Sequence, residues 1–179
     1  MEIKINSAEI RSGMFLKWNY EEIKPERRTS FSCNADGPIQ EELKEAFQKL
    51  LPHFLLLTEM KGRKEVIESL DLGNELPEEI TNKYKVTSFA TKDKNGDIHV
   101  EMKGVKHLNI GKTIGIPGPI VRPTDEYEFY SEMIEVVEEI KNHILDYMDG
   151  KQSERVQVEM EFGDEDEFTP EVEHESEAA

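Results

Sequence analysis

Asn95-Gly96 sits between two stretches of alternating residues, and that placement constrains the fold more than any other feature of the chain. Asn-Gly accommodates the positive φ angles of a two-residue turn whose twist matches that of paired strands. Tyr84-Lys85-Val86 before it, and Ile98, Val100 and Met102 after it, show the period of two expected of half-buried strands. The second half of the chain is therefore expected to open with an antiparallel hairpin. The first half repeats the pattern: Met14, Leu16, Trp18 and Tyr20 alternate, Pro25 fixes a loop, and Thr29, Phe31 and Cys33 alternate again. Residues 13–33 thus predict a hairpin, and residues 2–6 an outer strand beside it. Leu108 and Ile110, then Ile114 and Ile116, predict a third β stretch in the second half, ended by Pro117-Gly118-Pro119.

Each β region is followed by helical periodicity. Asp36-Gly37-Pro38 predicts a helix opening, and Ile39, Leu43, Phe47 and Leu50 supply an apolar stripe at spacings of three and four. Pro52 is expected to kink or break that helix, with Phe54 to Met60 continuing as a second short one. Residues 61–82 read as a connector with one helical turn at 64–70. Thr124-Asp125 predicts the cap of a longer helix carrying Tyr130, Met133, Val137, Ile140, Ile144 and Tyr147, which Gly150 ends. The expected fold class is α+β: antiparallel meander sheet packed against two main helices, with a β-meander-plus-helix duplication left open. Residues 1–152 form the expected single domain, with halves 1–60 and 83–150. Residues 153–179 are expected to be a disordered acidic tail.

Charge then limits the partners. The chain carries a net −17, but the distribution is uneven. Of its 39 acids, nine lie in residues 161–179, which hold no Lys or Arg; that leaves 30 acids against 22 bases in residues 1–160, about −8. Such a balance opposes unassisted binding to a phosphate backbone or an anionic membrane. The longest apolar run, near Phe54 to Leu57, is far short of a membrane span, and no apolar region follows a basic start. The lone Cys33 excludes an internal disulfide and suits a reducing cytoplasm.

Few motifs carry chemistry. Gly111-Lys112-Thr113 matches the end of a phosphate-binding loop, but Lys106 stands where the motif needs its first glycine, and Ile-Gly-Ile-Pro-Gly-Pro cannot open the required helix. What remains is an anion-binding loop in which Gly111 and the cations Lys106, Lys112 and Arg122 are candidate ligand-binding residues. Trp18, Tyr20 and Phe31 stand among basic residues on one hairpin and are candidates to stack on unpaired bases; core packing is the competing reading. Asp93-Lys94-Asn95-Gly96-Asp97 has its glycine at the fourth position of a calcium loop where the sixth is needed, and Gly104 stands in place of the final Glu; the histidines show no ligand spacing. No cofactor, metal or catalytic residue is expected, and the chain is not expected to be an enzyme.

Three segments, "EELKEAFQKLLPHFLLLTE" (41–59), "KYKVTSFATKDKNGDIHVEMKGVKHLN" (83–109) and "MIEVVEEIKNHILDYMDGKQ" (133–152), together with the first hairpin, resemble a family of small uncharacterised proteins of tailed phages. In that family a helix with a similar Leu-x-Pro-His segment precedes a sheet whose last strand leads to an acidic terminal helix. The resemblance covers residues 13–152 and supplies no catalytic residues. It implies a viral accessory protein in the cytoplasm of an infected bacterium, close to recombination and replication functions. The expected function is binding, without catalysis, of a host or phage protein of DNA metabolism or host defence. Two mechanisms fit: single-stranded DNA binding under an acidic regulatory tail, or imitation of DNA's charge. The alternative is a binder of a nucleotide signal at the 111–122 loop. No membrane partner is expected, and residues 125–149 leave oligomer formation open.

Overall fold

The computed structural model describes residues 1–150. Its elements are β1 (Glu2–Arg11), β2 (Phe15–Lys24), β3 (Arg27–Asn34), α1 (Glu41–Gln48), α2 (Leu51–Leu57), α3 (Arg63–Asp71), α4 (Glu78–Lys83), β4 (Tyr84–Lys94), β5 (Asp97–His107), β6 (Thr113–Val121) and α5 (Tyr130–Met148). The six strands form one antiparallel sheet in the order β3-β2-β1-β4-β5-β6. Two three-stranded meanders therefore lie side by side and join through β1 and β4. Each leads into a helix, α1 and α5, and those two helices pack on each other. The α+β class with helices on one sheet face is what the alternating patterns predicted.

One face of the sheet is the core. Ile5 and Ala8 of β1, Leu16 and Trp18 of β2, Val86 and Phe89 of β4, and Val100 and Met102 of β5 are all buried there. They pack with Leu43 and Phe47 of α1 and Met133, Val137, Ile140 and Ile144 of α5. At Gly104 of β5, a Cβ would lie 2.6 Å from the Phe54 ring and from the Lys85 carbonyl oxygen. Glycine is thus what allows α2 to settle onto the strand.

Several boundaries differ from expectation for identifiable reasons. β1 is not an outer strand of five residues but a central one of ten, paired with both β2 and β4. Its register shifts between Ile5 and Ser7, so alternation breaks at Asn6 and hides the second half of the strand. The helix expected from Asp36 starts at Glu41, because the Ile39 N–H bonds to the Met14 carbonyl at 2.8 Å and keeps the chain extended. The break at Pro52 falls just before it: Pro52 occupies the first turn of α2, where its missing N–H has no partner to lose. Residues 61–82 hold two helices rather than one turn, anchored by buried Val66 and Ile80.

The Asn95-Gly96 turn forms as expected, both residues at positive φ, with Asp93 Oδ1 accepting the Gly96 N–H at 2.9 Å. The third β stretch is divided differently. Residues 108–112 turn the chain, and β6 then runs through Pro117-Gly118-Pro119 to Val121. Thr124-Asp125 does not cap α5; Asp125 accepts the Arg122 N–H at 2.7 Å in a preceding turn, and the helix starts at Tyr130. Gly150, at φ +100°, follows its end. The expected acidic tail, 153–179, lies outside the described residues.

Candidate functional site

The cations proposed from sequence do not converge. Lys106 reaches over the Tyr84 ring, its Nζ 5.6 Å from the centroid. Gly111 holds the β5–β6 turn at φ +77°, its N–H spent on the Leu108 carbonyl at 3.0 Å, while the Lys112 carbonyl accepts from Leu108 at 2.7 Å. Arg122 follows the far end of β6, ten residues beyond Lys112, roughly 30 Å away along an extended strand. Lys106 and Lys112 share one end of the hairpin and Arg122 the other.

The aromatic candidates also separate. Trp18 is 7% exposed and packs edge-on against Tyr147 of α5, with centroids 5.8 Å apart, so it belongs to the core. Tyr20 and Phe31 remain nearer the surface, stacked on each other at 4.9 Å. They form a corner of the helix-side face that no helix covers as fully as Trp18.

A large concavity lies elsewhere, on the helical layer. A groove of about 1030 Å³ runs between α1, α2, the segment joining α3 to α4, and α5. Six glutamates line it: Glu45 from α1, Glu75 and Glu78 from the joining segment and α4, and Glu132, Glu135 and Glu139 from α5. The last three recur at spacings of three and four, which places them on one face of the helix. The opposing stripe, Met133, Val137, Ile140 and Ile144, is buried against the sheet, so burial of one face dictates the acidity of the other. Lys49 is the only Lys or Arg among the described lining residues, and its Nζ is held by Glu139 at 2.6 Å.

Beneath the carboxylates the floor is apolar. Pro52 is buried, and Leu70, Leu76 and Val136 are half-buried along the lining. His53 reaches the groove from α2 while being only 3% exposed, and its Nδ1 lies 2.7 Å from the Tyr127 hydroxyl. Burial pushes the His53 pKa down to about 4. Burial also pushes the Tyr127 phenol up, and the nearby Glu132 and Glu128 add to it. A neutral imidazole thus meets a neutral phenol, and the acidic rim stands over a floor without charge. This arrangement attracts cations at long range and offers apolar contact once they arrive.

The sequence reading missed this site. Glu132, Glu135 and Glu139 were visible as the polar face of a helix, but nothing local linked them to Glu45 or to Glu75 and Glu78. No family model matches the chain, and no curated protein or solved structure does so either.

Proposed function

We propose that this protein works by binding rather than by catalysis, taking a basic, amphipathic segment of a partner protein into the acidic groove. The single observation that supports this reading is the set of six glutamates over an apolar floor, answered by one paired lysine. An arrangement of like charge attracts a complementary surface and repels polyanions. A protein segment that otherwise meets nucleic acid has the required chemistry, so the groove would compete with DNA for such a partner. The acidic lining favours imitation of DNA's charge over the binding of single-stranded DNA. The resemblance to phage accessory proteins fits a partner in DNA replication, recombination or host defence.

Binding of a nucleotide signal at the 111–122 loop has less support, because Lys112 and Arg122 stand at opposite ends of β6. The experiment is a titration of the full chain with a helical peptide bearing Lys and Arg on one face and Leu on the other. Saturable binding, weakened by salt and stronger than for a scrambled peptide of equal charge, is the expected result. Equal binding of the two peptides would remove the apolar floor from the account, and no binding at low salt would remove the groove.

A further inference from the structure

The two edges of the sheet are built differently. β6 carries Pro117 and Pro119 around Gly118, and its register against β5 shifts between Glu101 and Lys103. Proline offers no N–H to an incoming strand and a bulge twists the edge away, two common means of closing an edge. β3 has neither device. Its eight residues pair with β2 in unbroken register from Lys17↔Asn34 to Lys24↔Arg27, and no described strand lies on its other side.

The hydrogen bonds fix which groups this edge offers. The Ala35 N–H donates to the Leu16 carbonyl at 2.7 Å, so the Ala35 backbone faces β2. Bonding direction alternates along an antiparallel strand. Cys33, Phe31 and Thr29 therefore bond toward β2 as well, while Arg28, Ser30, Ser32 and Asn34 aim their N–H and C=O groups outward. The Phe31 side chain is 37% exposed and lies stacked on Tyr20, with 15° between the rings. No residue of β3 is buried, which leaves room beside it for another strand.

We propose that β3 pairs antiparallel with β3 of a second copy of this chain, joining the two sheets into one across a two-fold axis. Three properties make the edge self-complementary. The first is hydrogen bonding. With Phe31 opposite Phe31 of the second copy, Arg28 faces Asn34 and Ser30 faces Ser32, each twice by symmetry. All the outward-facing residues of β3 then meet a counterpart. A slip of two residues in either direction leaves one of them in each copy without a counterpart on β3.

The second property is an aromatic row. Because Phe31 bonds toward β2, it takes a non-hydrogen-bonded place opposite its symmetry mate, where Cα atoms approach to about 4.5 Å. The Tyr20–Phe31 stack, with centroids 4.9 Å apart, then continues into the same pair of the second copy. The third property is charge. β3 holds Arg27 and Arg28 and no acid, in a chain of net −17. Antiparallel pairing sets these arginines beside Asn34 and the exposed Asp36 of the second copy, and keeps the two arginine pairs at opposite ends. An edge of eight residues is a small contact, so the dimer is reversible and of micromolar affinity or weaker. The inference is independent of the groove's function, since no described residue of β3 lines the groove.

Sedimentation velocity of the full chain over a concentration series tests it. Monomer should convert to dimer, and Phe31→Lys should weaken association at least about tenfold by setting two ammonium groups across the axis. Ser32→Pro removes an outward donor while the bonds to β2 stay, and should weaken association similarly. Cys33 lies opposite Thr29 of the second copy, so Thr29→Cys should yield a disulfide-linked dimer under mild oxidation. The unaltered chain should not link, because its two Cys33 thiols stand roughly 13 Å apart along the strands. A chain that stays monomeric to millimolar concentration would overturn the proposal. A dimer that Phe31→Lys and Ser32→Pro both leave unchanged would overturn it too, placing the contact elsewhere. Absence of the Thr29→Cys link in a dimer that forms would overturn the register.

Discussion

The second meander is covered and closed, whereas the first is left partly open. Buried residues extend to the outermost strand of the second meander, at Ile116 and Val121 of β6. In the first meander no residue of β3 is buried. The difference comes from the helices inserted between the meanders. α2 rests on β4, β5 and β6, and α4 on β4 and β5, with Phe54 seated over Gly104. The same insertion builds three sides of the acidic groove. A pair of meanders with matching strand order thus acquires two different surfaces from one asymmetrically placed helical segment.

Paired truncations break this comparison most sharply. Phe54 is fully buried, and Phe54→Ala should lower unfolding free energy by about 4 kcal/mol in chemical denaturation. Phe31→Ala, at the uncovered corner of the first meander, should cost about 1 kcal/mol or less, since its side chain is already exposed. Equal losses at the two sites would mean that the first meander is covered as well as the second.

The next effect is pH dependence under the helical lid. His53 has a folded pKa of about 4 against 6.5 for an ordinary histidine. Protonation therefore favours the unfolded chain. The His53 contribution is fully present above pH 6.5 and is lost as pH falls toward 4, by about 3 kcal/mol in all. Denaturation at a series of pH values should show this slope, and His53→Leu should flatten it. An unchanged slope in the variant would place the dependence in the carboxylates.

Much of the architecture was legible because it rests on local periodicity. Alternation through Trp18 and Val100, the Asn95-Gly96 turn and the α5 stripe each fix a strand, a hairpin or a helix with no knowledge of the rest. What escaped had a non-local cause. The bulge at Asn6 broke the alternation of β1 and concealed its central place in the sheet. Pro117-Gly118-Pro119 reads as a stop signal, yet an edge strand tolerates it because the missing donors have no strand to meet. The candidate site was the least legible part. Its six glutamates come from three separated stretches of chain, while Lys112 and Arg122, close in sequence, are parted by an extended strand.

Neutralising the rim gives the smallest effect on stability and the most informative one on binding. Glu75→Gln, Glu132→Gln and Glu135→Gln together leave the Lys49–Glu139 pair intact, so stability should change by less than about 1 kcal/mol. Calorimetric titration of this triple variant and the unaltered chain with the basic amphipathic peptide, over a range of salt concentrations, tests the central claim most directly. The account predicts affinity about tenfold weaker in the variant, with a shallower dependence on salt. Equal affinity and equal salt dependence in the two chains would contradict it.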